Sequence, residues 1–186
     1  MEEETYRTSL LESGSLALIY RLYQAGTSLN LSELEDCVPN FYALKKRAAL
    51  MEQEGLVDVA LVMDPRKVVR ISLTDKGEII GGILAKISRV LPNPDDLSDS
   101  AVCMKYAEPV IVLLYRRGKL RYIDILDIFP NYKAIIKSLF PALETEGLVK
   151  LGKETDHHKS NTAELTMTGK MVGAGLDEIH RIVTGE

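Results

Sequence analysis

The stretch Pro39, Asn40, Phe41, Tyr42, Ala43, Leu44, running on to Glu54, Gly55, Leu56, Val57, returns about ninety residues later. There it reads Pro130, Asn131, Tyr132, Lys133, Ala134, Ile135, running on to Glu146, Gly147, Leu148, Val149. Each copy predicts a helix opened by an Asn cap, closed by a glycine in the left-handed conformation and followed at once by an apolar strand. An apolar helix precedes each copy, and a polar loop, a second strand and a Thr-capped helix follow it. In a chain of 186 residues this predicts two similar units, residues 1–90 and 101–186, joined by a linker at 91–100. Pro92, Pro94, Asp95 and Asp96 mark the boundary, because they stop a helix and resist burial.

An apolar share of 46% with 27% charged residues is the balance of a soluble globular protein, and no apolar run approaches the length of a membrane span. The start, Met1, Glu2, Glu3, Glu4, is acidic where a secretory signal is basic, so a cytoplasmic chain with no membrane partner is expected. Cys37 and Cys103 stand far apart and are expected to be reduced, small apolar residues. The net charge of -4 is opposite in sign to that of a basic nucleic-acid module. Any contact with nucleic acid must therefore come from one local basic face, which screening over about 8 Å permits.

In the first unit, Leu16, Ile19, Tyr20 and Tyr23 recur at helical spacing and predict a helix over Ser15 to Ala25, with Gly26 beyond. Ser32 and Glu35 form an expected capping box for a short helix that buries Leu34 and Cys37 and ends at Pro39. The helix from Asn40 to about Glu54 places Leu44, Ala48 and Met51 inward and Tyr42, Lys45, Lys46 and Ala49 outward. Two strands follow, over 56–62 and 68–73, with a turn from Met63 to Lys67. Thr74 caps a last helix whose apolar face is Ile79, Ile80, Ile83, Leu84 and Ile87.

The second unit repeats the plan with Val110, Leu113 and Leu114, then Ile125, Ile128 and Phe129, then a cap at Asn131. Pro141 falls inside its third helix, and the repeat spacing drifts by one residue between the Asn pair and the glycine pair. A kink or bulge near Phe140 is expected there. The second hairpin loop is long, Gly152 to Asn161, and Thr168 is the expected cap of the final helix. Gly81, Gly82, Gly173 and Gly175 predict close backbone packing, within a unit or across a seam.

This order of elements is that of a winged helix, so the expected fold is mainly α with small β wings (α+β), two winged-helix domains in tandem. Leu44, Ala48, Met51, Glu54, Gly55, Leu56, Val57 and then Leu73, Thr74, Asp75, Lys76, Gly77 resemble winged helix-turn-helix regulators of the MarR and ArsR sort, prokaryotic or archaeal. Leu143, Glu146, Gly147, Leu148, Val149 and Met167, Thr168, Gly169, Lys170 carry a weaker version. The resemblance implies a homodimeric DNA-binding transcriptional regulator whose partner is double-stranded DNA. In it Tyr42, Lys45 and Lys46 face the major groove, Arg47 lies at the helix flank, and Arg66 and Lys67 meet phosphates or the minor groove. Arg116, Arg117, Lys119 and Arg121 form a second basic run within reach of phosphate.

The alternative reading is a tandem winged-helix scaffold for protein partners, of the architecture found in chromosome-condensing, endosomal-sorting and general transcription machinery. The acidic total and Pro141 favour it. No enzyme is expected, since no Ser, His and Asp or Cys and His set sits where a nucleophile could be activated. His157 and His158 beside Asp156 lack metal-ligand spacing, so no metal is expected. Gly173, Ala174, Gly175 lacks the preceding strand and third glycine of a dinucleotide loop, so no cofactor is expected.

Overall fold

The computed structural model describes residues 8–38, 40–92, 96–153 and 161–186. It is an α+β protein built mainly of helices, with two small antiparallel sheets of three strands each among the described residues. The first half runs α1 (Ser15–Ala25), β1 (Leu29–Asn30), a 3-10 helix (Leu31–Cys37), α2 (Phe41–Gln53), β2 (Val57–Asp64), β3 (Arg66–Leu73) and α3 (Asp75–Ser88). The second runs α4 (Ala107–Arg117), β4 (Leu120–Arg121), α5 (Tyr122–Ile128), α6 (Lys133–Thr145), β5 (Val149–Lys153), β6 (Asn161–Leu165) and α7 (Met167–Thr184). Short 3-10 turns, Ser9–Leu11 and Ala101–Cys103, precede α1 and α4. The sheet orders are β1-β3-β2 and β4-β6-β5.

Most main-chain and capping bonds of the first half recur in the second 92 residues on, while β1 and β4 stand 91 residues apart. Gly55 and Gly147 end α2 and α6 at φ 69° and 72°, a region that costs a glycine little. The next residue then turns back: Leu56 N–H donates to Met51 O at 2.8 Å, as Leu148 N–H does to Leu143 O at 2.9 Å. Thr74 and Thr166 accept from the N–H of Gly77 and Gly169 and cap α3 and α7. Both hydroxyls also donate backwards, to Gly55 O and Gly147 O. The side chain of Glu54 accepts from Ser9, and that of Glu146 from Ser100 and Ala101, so each glutamate pins the 3-10 turn of its own half.

Several sequence expectations are corrected by this register. The final helix is capped by Thr166, not Thr168. Helix α6 is preceded by Tyr132, with Asn131 in a 3-10 turn, so the Asn40–Asn131 alignment was one residue out. With Tyr132 as the counterpart of Asn40, the one-residue drift falls before α2 and α6, between the 91-residue offset of β1 and β4 and the 92 of the helices, and α6 runs through Pro141 as an uninterrupted helix of 13 residues, the length of α2. Pro141 lies on the exposed face, where a carbonyl freed by the missing N–H can be hydrated. The capping pair of the first 3-10 helix is Asn30 with Glu33, whose carboxylate accepts from Asn30 N–H at 2.7 Å, rather than Ser32 with Glu35. Ile79 faces solvent instead of the core. Pro39 and the residues 93–95 and 154–160, with them most of the second hairpin loop, lie outside the described residues.

One continuous apolar core crosses both halves. Gly14 N–H donates to Cys103 O at 2.8 Å and Tyr106 N–H donates to Leu11 O at 3.0 Å, a reciprocal pair about a local pseudo-two-fold. Helices α3 and α7 pack on each other, and at Gly175 a Cβ would meet Ile87 Cδ1 at 2.8 Å. Gly81 and Gly173 serve the other expected role within each half, lying against Tyr23 and Tyr115. The connecting segment is laid on this core, since Leu91, Leu97 and Ser100 are buried. No described helix is long and apolar enough to cross a membrane.

Candidate nucleic-acid interface

Helix α2 is fixed by its ends and by one apolar stripe. Asn40 Oδ1 accepts from Ala43 N–H at 2.9 Å, satisfying one of the orphan donors of the first turn. Leu44, Ala48 and Met51 are buried, which turns the opposite face outward. On that face Tyr42 is 80% exposed, and Lys45 and Lys46 are exposed. Lys45 Nζ lies 4.6 Å from the ring centroid of Phe41, which orients the ammonium over the first turn.

Beside this helix stands the β2–β3 hairpin. Its strands pair from Val57↔Leu73 to Asp64↔Arg66, with Pro65 at the apex. Strand β1 pairs only with Ile71 and Arg70, so the outer part of the hairpin is a two-stranded ribbon. Arg66 and Lys67 are exposed at its tip. Tyr42, Lys45, Lys46, Arg66 and Lys67 make no ion pair among the described residues.

Arg47, expected at the helix flank, is instead buried at 7% exposure on the inner side of α2. Its Nε and Nη1 have no hydrogen-bond partner. Burial lowers its pKa, against the charge of Glu12. Its counterpart in α6 is Leu139, also buried, so Arg47 occupies a position that the fold packs as apolar. It cannot stand in a groove of DNA.

In the second half the basic run is partly neutralised. Arg116 is paired with Asp177 and with Glu186, and Arg121 grips both oxygens of Asp124 at 2.9 and 2.7 Å. Those bonds hold the Asp124 carboxyl below its ordinary range. Arg117 and Lys119 are exposed. On α6, Lys133 and Lys137 are exposed, while the positions of Lys46 and Arg47 are taken by Ser138 and Leu139. The structure thus brings Tyr42, Lys45 and Lys46 onto one exposed helix face in the first half, and sets four further basic residues elsewhere in the second.

Sequence reasoning missed the apolar part of this surface. Phe41 is exposed beside Tyr42, and Leu61 and Met63 on the ribbon are 66% and 69% exposed. The signal was present, since Val57, Val59, Leu61 and Met63 alternate along a strand longer than its counterpart. Burial pushes the Cys37 thiol up to about 11, and the more deeply buried Cys103 is raised as well. Among the described residues no three His, Cys, Asp or Glu side chains gather as a metal site; His157, His158 and Asp156 are outside them. Neither the comparison with family models nor the search of curated proteins finds a match to this chain.

Proposed function

We propose that the chain is a tandem pair of winged helices and a DNA-binding transcriptional regulator, acting as a homodimer. Helix α2 of the first unit is its reading element, and the β2–β3 hairpin is its wing. The observation that carries this reading is the exposed set Tyr42, Lys45 and Lys46 on one helix face, with Arg66 and Lys67 on a projecting ribbon, all free of ion pairing among the described residues. Cations left unpaired on a chain of net charge -4 suit a polyanionic partner. A helix presenting its first turns outward matches the geometry of major-groove docking, and backbone contacts from the hairpin set its register. The second unit, whose cations are partly neutralised and whose α6 holds Ser138 where α2 holds Lys46, supports dimerisation or backbone contact rather than base reading. A dimer is expected because one helix covers too little of a site to be selective.

Binding of the full chain to random duplex DNA, followed by anisotropy as salt is raised, tests this. The expected result is a steep loss of affinity with salt, and a slope of log K against log salt that falls by about 2 when Lys45→Ala and Lys46→Ala are combined. Absence of binding at low salt would leave the second reading, a scaffold for protein partners. The exposed Phe41, Leu61 and Met63 and the acidic total are what favour that alternative.

A further inference from the structure

The β2–β3 ribbon is apolar where a purely phosphate-binding hairpin would not be. Cross-strand partners share a face, so Val57 with Leu73 and Val59 with Ile71 define the side turned to the core. The same side continues outward as Leu61 with Val69 and then Met63 with Lys67. Past the last β1 pairing at Arg70, four residues of each strand, Leu61–Asp64 and Arg66–Val69, pair only with each other. At about 3.4 Å per residue this ribbon carries its tip about 14 Å beyond the three-stranded sheet. The tip is led by exposed Pro65, with Met63 behind it on one face and the cations Lys67 and Arg66 on the two faces. β2 carries two acids, Asp58, exposed at the sheet end, and Asp64, at the register position opposite Arg66 beside the tip.

We propose that this ribbon enters the minor groove of duplex DNA and that Pro65, backed by Met63, wedges a base step and kinks the duplex. The inference rests on the DNA-binding reading above and adds a deformation to it. An apolar side chain exposed on a protruding element is costly in water, and partly unstacked bases offer it a dry, planar surface. Leu, Met and Pro are the residue types that act as such wedges in minor-groove proteins, where kinks span roughly 20 to 90°. Charge complementarity names the occupant: Lys67 stands opposite Met63 on one face, and Arg66 with Lys67 outnumber Asp64, the partner of Arg66 on the other, so the apolar tip carries a net positive charge suited to phosphate. A bent duplex also brings DNA back toward α2, so groove reading and wedge act on one segment.

The experiment measures energy transfer between dyes at the two ends of a short duplex containing flexible TA steps, alongside anisotropy for binding. The full-length chain is expected to shorten the end-to-end distance on binding, as a kink of tens of degrees does. The double variant Met63→Ala with Pro65→Ala is expected to bind with the same salt slope and to lose most of that shortening. Circular dichroism checks that its fold is unchanged. Binding with no change in distance, or an equal change with the variant, overturns the wedge while the DNA reading stands. No binding at low salt overturns both. A variant that bends DNA normally but changes the oligomeric state assigns the apolar ribbon to a protein interface, and overturns the wedge as well.

Discussion

Arg47 is the residue at which local and tertiary demands on this chain part company. As a helix former among lysines it suits α2, yet its guanidinium is buried with two nitrogens lacking a hydrogen-bond partner. A buried polar group without a partner costs about 1–3 kcal/mol, more if charged. The second half places Leu139 at the same position, fully buried. Arg47→Leu is therefore expected to raise stability by about 1–3 kcal/mol, measured as an increase in the urea midpoint at unchanged slope. It should leave the salt slope for DNA unchanged, because a buried cation contacts no phosphate. A drop in stability would show that the charge has a partner or a role that this packing does not reveal. The exposure of Lys45 and Lys46 follows from helical period alone, whereas the burial of Arg47 depends on what packs beneath α2.

Among elements, the seam between α4 and α7 holds the most consequential polar contact. Glu108 and His180 are both buried and meet at 2.8 Å, Glu108 Oε1 to His180 Nδ1, near the Arg116–Asp177 pair. Burial raises the Glu108 pKa, only partly countered by its bond to His180. Burial favours neutral His180, but the bond and charge of Glu108 outweigh this and its pKa is also raised. Both shifts mean that the native state holds protons the unfolded chain has released. The contribution of His180 is complete below its ordinary value near 6.5 and is lost as pH rises through the raised folded value. Glu108 acts in the same direction from its ordinary value near 4.5 upward. The pair's contribution should fall as pH rises above these ordinary values, and Glu108→Gln should flatten that decline in urea titrations carried upward from about pH 6.5. Equal slopes for both proteins would exclude the pair as the cause. Nothing in the sequence pairs these residues, 72 apart in the chain, because an i to i+4 pattern marks a buried face without saying which face it meets.

At the scale of the whole molecule, two similar halves share one apolar core. Gly14 and Tyr106 exchange main-chain bonds across the local two-fold, α3 packs on α7, and Leu91 and Leu97 tie the connection down. Urea unfolding followed by circular dichroism and by tyrosine fluorescence is expected to give a single coincident transition. Two separated transitions would mean that the seam contributes little. The repeat, the helix ends at Gly55 and Gly147, the inward stripe of α2 and the position of its lysines were determined by the sequence alone, because they depend on contacts within a few residues. The true register at Asn131, the cap at Thr166, the continuity of α6 through Pro141, the burial of Arg47 and the run of Leu61 and Met63 past the core were decided by tertiary structure. Each depends on where a distant surface ends, and apolar alternation reads the same on a strand whether or not a core lies opposite it.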